Sequence, residues 1–271
     1  MKTHKNWLLT NIAEKQFNHH LNYTVYTRLY PFYDVSFQRS IECTINEIRN
    51  LKNDLYVGLS GGADSEFVLK SFVERHVPIT PVIVKCEGNE AETFYAYKAC
   101  RRFNVDPVII MADNNKLIST FEEMNGKLPM HGIMAIPQLI AAEFVARREG
   151  FIINPNHLNG DGDGKVIEGI FERNEWDDYV DVLYPGMAIE FFSYHIETIY
   201  AMTLLATKGT WQQYKSKLYQ TPYRPKMRAK YHPTVVDFFD KTIADFPQSN
   251  PHFCFGNRNQ VLERLSPYVI K

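Results

Sequence analysis

The sequence predicts an α/β protein in which a parallel sheet lies between layers of helices. Short apolar runs at 55–58, 81–86, 108–111 and 151–153 have the composition of buried strands. The segments between them place apolar residues at the spacing of an amphipathic helix. Strands that alternate with helices of this length form parallel sheets with right-handed crossovers. We therefore expect an α/β/α sandwich whose ligands bind beyond the carboxyl ends of its strands.

Three helical segments are predicted between these strands. After the first strand, Phe67, Val68 and Phe72 recur at helical spacing. The segment 90–103 follows the second strand and repeats its apolar residues every four positions. Pro137 stands at a position that suits the first turn of a further helix, and the apolar residues behind it continue that helix.

The segments outside the sheet domain differ in composition, and we expect three parts with boundaries at 1–50, 51–185 and 186–271. The first part is predicted to be a helical extension of one or two helices separated by Pro31, the first around 7–12 and the second around 35–48. The last part is predicted to be a helical region packed beside the sheet. Its predicted helices are 196–205, 211–218 and 235–246.

Composition limits the classes of protein to which the chain can belong. The net charge is −1, which provides no general attraction for nucleic acid or an anionic membrane surface, so a nucleic acid partner is not indicated. No apolar run approaches the length of a membrane span. The cysteines form no C-x-x-C pair, and this predicts buried thiols in a reducing cytoplasm rather than a zinc site. They are Cys43, Cys86, Cys100 and Cys254.

The most informative stretch is Ser-Gly-Gly-Ala-Asp-Ser at 60–65, between the first strand and the helix behind it. Its two glycines let the backbone approach a ligand closely and adopt positive φ. The helix directs amide groups and its positive dipole end at the loop, and this arrangement attracts an anion. Asp64 would repel a bare phosphate, so we expect Mg²⁺ between its carboxylate and the phosphates. Ser60 and Ser65 can donate hydrogen bonds to the same oxygens.

A second unusual stretch, Asn159–Gly164, interleaves glycines with Asp161 and Asp163 directly after the strand at 151–153. Such a loop could coordinate Mg²⁺ or hold a cationic group. An exposed turn is the alternative, and the calcium-binding pattern is incomplete because no glutamate occupies its end position. Its placement after a strand makes a site shared with 60–65 plausible.

The first loop is not of the Walker type, because no Gly-Lys-Ser/Thr follows it. It resembles the pyrophosphate loop of the N-type ATP pyrophosphatases, which cleave ATP between the α and β phosphates. Over about 50–170 the chain resembles the synthetase domain of asparagine synthetases and β-lactam synthetases. In those enzymes a Gly-Glu-Gly-Ala/Ser-Asp-Glu loop follows at a similar distance, and a helix led by Ala-Ile-Pro lies between the two loops, as at 135–137 here.

Two weaker matches extend this resemblance. Tyr223-Arg224-Pro225-Lys226 is similar to the family's Arg-x-Lys. The family also has an acidic residue followed by alanines at four-residue steps after its second strand. The matching positions are Glu92, Ala96 and Cys100, or alternatively Glu87, Ala91 and Ala99.

The resemblance implies a fold of the adenine nucleotide alpha hydrolase-like, HUP type, and a ligase that uses ATP and Mg²⁺. The enzyme would adenylate a carboxylate or carbonyl oxygen, release pyrophosphate and transfer the product to an amine. Lys226 would stabilise the charged transition state, and Asp161 could act as the base that deprotonates the amine. Asp64, with Asp161 or Asp163, would hold the metal. The implied nucleotide-binding residues are Leu59, Ser60, Gly61, Gly62, Asp64, Ser65 and Gly160.

The departures from the family pattern bear on the substrate. Asp161 stands where the family has glutamate, and Gly164-Lys165 stands where it has Asp-Glu. We therefore expect a small-molecule substrate other than aspartate. No glutaminase segment precedes the loop, so we expect the amine from a partner or another source. A homodimer is compatible with the resemblance.

Several alternatives stay open at this point. One is a tRNA- or nucleobase-modifying pyrophosphatase, although the thiolating versions generally use cysteines or a metal cluster. Ammonia-dependent NAD synthetase shares the first loop and the size, without a match to its later motifs. A third alternative is a nucleotide-binding protein without catalysis. Lys226 itself could be a solvated charge in a basic loop.

Overall fold

The computed structural model of the protein describes most of the first two thirds of the chain and shorter segments beyond it. The described residues are 9–10, 23–26, 36–51, 53–125, 133–155, 170–172, 180, 183–184, 187–192, 194, 198, 201, 219–220 and 230–244. In chain order the strands are β1 (Leu9–Thr10), β2 (Tyr23–Tyr26), β3 (Leu55–Gly58), β4 (Thr80–Lys85), β5 (Val108–Met111), β6 (Phe151–Asn154), β7 (Ile170–Glu172) and β8 (Ala188–Glu190). The helices are α1 (Phe37–Ile48), α2 (Ala63–Val73), α3 (Glu90–Phe103), α4 (Asn114–Asn125), α5 (Ile136–Ala146) and α6 (Pro233–Ala244).

The central sheet contains five strands in the order β5-β4-β3-β6-β8, and every neighbouring pair is parallel. From β3 the chain moves outward to β4 and β5, and then returns to place β6 on the other side of β3. The carboxyl ends of β3 and β6 therefore flank the point at which the direction of winding reverses, which is the usual ligand crevice of an open α/β sheet. The predicted parallel α/β sandwich is confirmed.

Alternating residues of the strands point into two separate apolar layers, as the period of a strand requires. Val57, Ile83 and Ile153 face the layer that contains α1, α2 and α3. Tyr56, Val82 and Ile152 face the opposite layer with α4, α5 and α6. Burial on both faces explains why these strands have continuous apolar sequences rather than an alternation of polar and apolar residues.

Most of the predicted elements are present, and several differ. The strands predicted at 55–58, 81–86, 108–111 and 151–153 are observed, and so are the helices predicted after the first two of these strands. Pro137 lies in the first turn of α5, as predicted. The helix α4 and the three-residue strand β8 were not predicted, and β8 extends the sheet beyond β6.

The segments outside the central sheet combine helices with short strands. The second helix predicted in the N-terminal part corresponds to α1. The first predicted helix is wrong at 9–10, because these residues form a strand in an antiparallel sheet of order β1-β2-β7. The predicted helix at 235–246 corresponds to α6, whereas those at 196–205 and 211–218 lie largely outside the described residues. None of the helices in the described part of the chain is long and apolar enough to cross a membrane.

Candidate functional site

The loop at 59–62 connects β3 to α2 at the reversal point of the sheet. The Leu59 amide donates to the Val82 carbonyl at 2.8 Å, so the loop begins as an extension of the β3–β4 ladder. Gly61 has φ +81°, and a Cβ at this position would lie 2.1 Å from the carbonyl oxygen of Glu92 in α3. Gly62 has φ −70° and caps the N-terminus of α2. Positive φ is therefore needed at Gly61 alone, and its close approach is to α3.

A network of hydroxyl groups holds the loop. The Gly62 amide donates to Ser60 Oγ at 3.3 Å, and Ser60 Oγ lies 3.3 Å from Ser65 Oγ. Ser65 Oγ in turn donates to the Gly62 carbonyl at 3.0 Å. Because that bond uses the Ser65 proton, the contact between the two hydroxyls is a donation from Ser60. The two predicted serines thus lie side by side at the N-terminus of α2.

The N-terminus of α2 has the geometry of an anion site. Its first helical hydrogen bond runs from the Glu66 amide to the Gly62 carbonyl at 3.1 Å. The amides of Ala63, Asp64 and Ser65 precede that bond, and in an α-helix such amides project beyond the N-terminus. Together with the helix dipole they favour a phosphate-like group at the loop.

The carboxylate of Asp64 lies in the first turn of α2 and has a partner distant in sequence. The Tyr219 hydroxyl donates to Asp64 Oδ1 at 2.9 Å, across 155 residues of sequence. Tyr219 is fully buried, and its ring stacks on Phe67 with centroids 4.2 Å apart. Burial, with the neighbouring Asp64 charge, raises the pKa of Tyr219 well above its ordinary value, so this hydroxyl remains a donor at neutral pH.

A cavity of about 230 Å³ opens beside the loop, between the carboxyl ends of β3, β4 and β6. Its walls are mostly apolar, with a small number of polar groups, which is the usual composition of a small-molecule site. Ser60 belongs both to this cavity and to the hydroxyl network of the loop. The other polar side chains that line it are Asn89, Glu92, Thr93, Gln138 and Asn154.

Three amide side chains form the polar part of the cavity wall. Asn89 is buried, and it accepts from the Cys86 amide at 3.0 Å and donates to the Val84 carbonyl at 2.9 Å. It thereby holds the turn between β4 and α3. Across the cavity, Gln138 Nε2 donates to Asn154 Oδ1 at 3.1 Å. These amides can read the edge of a planar polar ring by hydrogen bonding.

The cavity is bordered by residues that lie far along the chain. Gly88 has φ +89°, and a Cβ there would lie 1.7 Å from the Lys230 carbonyl oxygen. The Lys230 amide donates to the Gly88 carbonyl at 2.7 Å. This backbone contact brings Tyr231 into the cavity wall, where burial, with the Cys86 thiol and the Glu92 charge nearby, raises the pKa of its hydroxyl.

The donors present are compatible with Mg²⁺ bound to a nucleotide. Among the residues that the structure describes, no group of three or more His, Cys, Asp and Glu side chains could hold a metal ion by itself. Mg²⁺ generally binds through one or two carboxylates, substrate phosphates and water rather than in an all-protein cage. Asp64, next to amides that favour phosphate, fits that pattern.

Only part of the predicted site can be located. Leu59, Ser60, Gly61, Gly62 and Ser65 lie together in the loop and the first turn of α2, with Asp64 beside them. The sequence offered two possible matches to the family's acidic residue and alanines. In the first match Glu92 lines the cavity and Ala96 and Cys100 are buried, whereas Ala91 of the second match is exposed. The remaining predicted site residues lie outside the described part of the chain. They are Gly160, Asp161, Asp163 and Lys226.

Several residues of the site were not identified from the sequence. Tyr219 and Tyr231 reach it through tertiary contacts, and no local motif marks them. Asn154 and Gln138 had a weak signal in the sequence. Asn154 is the polar residue at the end of an apolar strand, and Gln138 directly follows Pro137 at the start of a helix. Both positions are expected at the edge of the sheet where ligands bind.

Comparisons with known proteins give a distant likeness. No protein-family model matches the chain, and no curated protein shows a significant match. Among solved structures, NMN synthetase from Francisella tularensis is similar with a TM-score of 0.38 and 12% identity, covering 78% of this chain and 94% of that chain. NH3-dependent NAD synthetase from Campylobacter jejuni subsp. jejuni has a TM-score of 0.36 and 15% identity, with 78% and 94% covered. For NAD+ synthetase from Burkholderia pseudomallei the values are 0.37 and 17%, with 79% and 94% covered. At identities this low, the substrate and reaction of those proteins cannot be assigned to this chain. The fold is established by the strand order of the sheet itself.

Proposed function

We propose that this protein is an ATP-dependent ligase of the AMP-forming, ATP pyrophosphatase type. It adenylates a carboxylate or carbonyl oxygen of a small molecule with release of pyrophosphate, and an amine then displaces AMP from the adenylated carbon. The observation that carries the proposal is the position of Ser60, which belongs to the apolar cavity and to the loop at the N-terminus of α2. A nucleoside in the cavity would therefore have its phosphates directed to the loop.

The cavity suits the adenosine part of ATP. Its apolar walls can cover a flat base, and its amide side chains offer hydrogen-bond donors and acceptors to the edge of the base. The loop suits the pyrophosphate part, because backbone amides and the Ser60 and Ser65 hydroxyls converge on one end of α2.

The type of loop favours cleavage between the α and β phosphates. No lysine follows the glycines to reach the β and γ phosphates, as it does in a Walker loop. Groups that stabilise charge on the departing pyrophosphate lower the barrier to its release. The amides of the α2 N-terminus would provide that stabilisation, and the Ser65 hydroxyl would join them by turning from the Gly62 carbonyl to a phosphate oxygen.

Asp64 would hold the Mg²⁺, with Asp163 or Asp161 as a second carboxylate. The metal, when bound, neutralises charge on the phosphate oxygens of the leaving group. Lys226 would stabilise charge at the reacting centre, and Asp161 could take the proton of the attacking amine. These roles follow the resemblance to asparagine and β-lactam synthetases, and the altered loop at 159–164 favours a substrate other than aspartate.

Carboxylate-dependent exchange of labelled pyrophosphate into ATP tests the proposal. The protein is incubated with Mg²⁺, ATP and a panel that contains aspartate, other amino acids and carboxylate-bearing nucleotides. We expect exchange with at least one carboxylate, and formation of AMP and pyrophosphate when an amine is added. ADP and orthophosphate as products would overturn the proposal, and ATP binding without exchange would indicate a nucleotide-binding protein.

A further inference from the structure

Tyr219 contacts three residues on one face of α2, which are spaced by three residues along the chain. Its hydroxyl donates to Asp64 Oδ1 at 2.9 Å, and its ring stacks on Phe67 at 4.2 Å with an interplanar angle of 14°. Its carbonyl oxygen accepts from Lys70 Nζ at 3.1 Å. Asp64, Phe67 and Lys70 are spaced by three residues and therefore lie on one side of the helix. The contacts fix the ring and the backbone of Tyr219 independently of its hydroxyl.

The hydroxyl of Tyr219 is not required for packing. The ring also stacks on Phe192 and Phe37, with centroids 5.9 and 6.4 Å apart, so a phenylalanine at 219 would fill the same space. Burying a hydroxyl is unfavourable unless it finds a hydrogen-bond partner. The partner of this one is a carboxylate at the N-terminus of α2, which could interact favourably with the helix dipole without any tyrosine.

We infer that Tyr219 is a positioning residue that holds the Asp64 carboxylate in the orientation in which it faces a divalent cation on a bound triphosphate. The inference rests on the proposed function, because it takes Asp64 as the carboxylate that meets the metal on ATP. A carboxylate on a flexible side chain samples several rotamers, and a charge-assisted hydrogen bond from a rigid, buried ring removes that freedom. Tyr219 acts through Asp64 and makes no contact with the substrate.

The expected size of the effect follows from residues in comparable positions. Groups that orient the ligands of a metal typically change metal affinity or activity by about 10- to 100-fold when they are removed. We expect Tyr219→Phe to weaken binding of the metal–nucleotide complex within that range. Binding of the nucleotide without a divalent cation should be unchanged, since the loop amides and the cavity are intact.

The test measures metal binding separately from turnover. Mn²⁺ binding is followed by electron paramagnetic resonance in the presence of α,β-methylene ATP, which cannot be cleaved between the α and β phosphates. Wild type is compared with Tyr219→Phe, Asp64→Asn and the double variant. Tyr56→Phe is the matched control, because Tyr56 is a buried tyrosine of the opposite apolar layer and does not line the cavity.

Coupling between the two residues distinguishes positioning from a general structural role. If Tyr219 acts through Asp64, adding Tyr219→Phe to Asp64→Asn causes no further loss of Mn²⁺ affinity. Equal Mn²⁺ affinity in wild type and Tyr219→Phe would overturn the inference, as would additive losses in the double variant. A Tyr219→Phe protein that fails to fold would assign the hydroxyl to stability and would overturn it as well.

The outcome for the proposed function is read independently. Weakened Mn²⁺ binding in Tyr219→Phe, combined with no pyrophosphate exchange in wild type, would support the positioning role and reject the ligase. Normal exchange in wild type together with unchanged Mn²⁺ binding in Tyr219→Phe would support the ligase and reject the positioning role.

Discussion

The backbone of Gly61, in the loop after β3, lies so close to the backbone of Glu92 in α3 that no side chain fits between them. A Cβ on Gly61 would lie 2.1 Å from the Glu92 carbonyl oxygen and 3.1 Å from the Ala96 amide nitrogen. Glu92 also lines the cavity beside the loop. The glycine therefore fixes the distance between the loop and one wall of the cavity, in addition to any role toward a phosphate.

Gly61→Ala should destabilise the fold. The added methyl group would overlap with the backbone of α3, and the residue would have to keep φ near +81°. We expect the free energy of unfolding to fall by about 2–3 kcal/mol, as measured by urea denaturation. Gly62→Ala is the matched control, because Gly62 has φ −70° and, within the described part of the chain, its added Cβ would meet only Ser60 Oγ, at 3.4 Å. A change above about 0.5 kcal/mol in Gly62→Ala would contradict this explanation.

The parts of the site that could be predicted from sequence are those that depend on local pattern. Short continuous apolar runs identified the strands at 55–58 and 151–153, and glycines between a strand and a helix identified the loop. The alternation of strands and helices then indicates a parallel sheet, so the location of the loop at the carboxyl ends of the strands could also be expected, whereas the strand order could not.

The rest depends on contacts between distant segments. Tyr219 meets Asp64 across 155 residues, and nothing near either residue in sequence indicates the partner. The strand β8 contains three residues, which are too few to show a strand pattern in the sequence. We attribute its extended conformation mainly to its pairing with β6. Such elements are determined by the sheet that is already formed rather than by their own composition.

Asp64→Asn should reduce turnover strongly and stability little. The substitution removes the negative charge that would bind Mg²⁺, and loss of a preorganised charge-stabilising group typically costs on the order of 10²–10³ in rate. Asn can still accept the hydrogen bond of Tyr219 through its Oδ1, so the buried hydroxyl keeps a partner. The loss of a favourable charge at the α2 N-terminus should cost less than about 1 kcal/mol. Pyrophosphate exchange and thermal melting measure the two quantities, and normal exchange would exclude the loop from the active site.

The ion pair between the buried Glu66 carboxylate and the partly exposed Arg102 should contribute to the packing of α2 on α3. The Glu66 side chain is fully buried and accepts from Arg102 Nη1, while the Arg102 side chain is 34% exposed. Arg102→Leu would remove the guanidinium that pairs with this buried carboxylate. We expect a loss of about 2–3 kcal/mol after allowing for solvent screening at Arg102, as measured by urea denaturation. Arg101→Leu, at the exposed neighbouring position, should have little effect, and equal losses in both variants would contradict the proposed contribution.

The thiols should differ in their reaction with iodoacetamide as pH rises. Burial, with nearby acidic groups, raises the pKa of Cys86 and of Cys100 to about 11 from 9.0. At pH 8 about one in a thousand of these thiols is ionised, and the thiolate is the reactive form. Cys43 is exposed, so the prediction of buried thiols is wrong for this residue, and it should be alkylated before Cys86 and Cys100. Labelling of Cys86 and Cys100 should rise steeply only as pH approaches 11, as located by mass spectrometry of peptides. Rapid labelling of either residue at pH 8 in the folded protein would show that its thiol is accessible.

Lys226→Ala tests whether the C-terminal resemblance has functional meaning. If Lys226 stabilises charge that develops at the α phosphate and the reacting oxygen, it interacts more strongly with the transition state than with bound ATP. Removing such a group lowers the rate of the chemical step more than the affinity for substrate. We therefore expect Lys226→Ala to bind ATP and Mg²⁺ with near-native affinity by calorimetry and to lose pyrophosphate exchange. Lys230→Ala is the control, because the Lys230 side chain is exposed and the residue contacts Gly88 through its backbone. If both variants exchange pyrophosphate at the wild-type rate, Lys226 is a solvated surface charge, and the C-terminal resemblance is left without support.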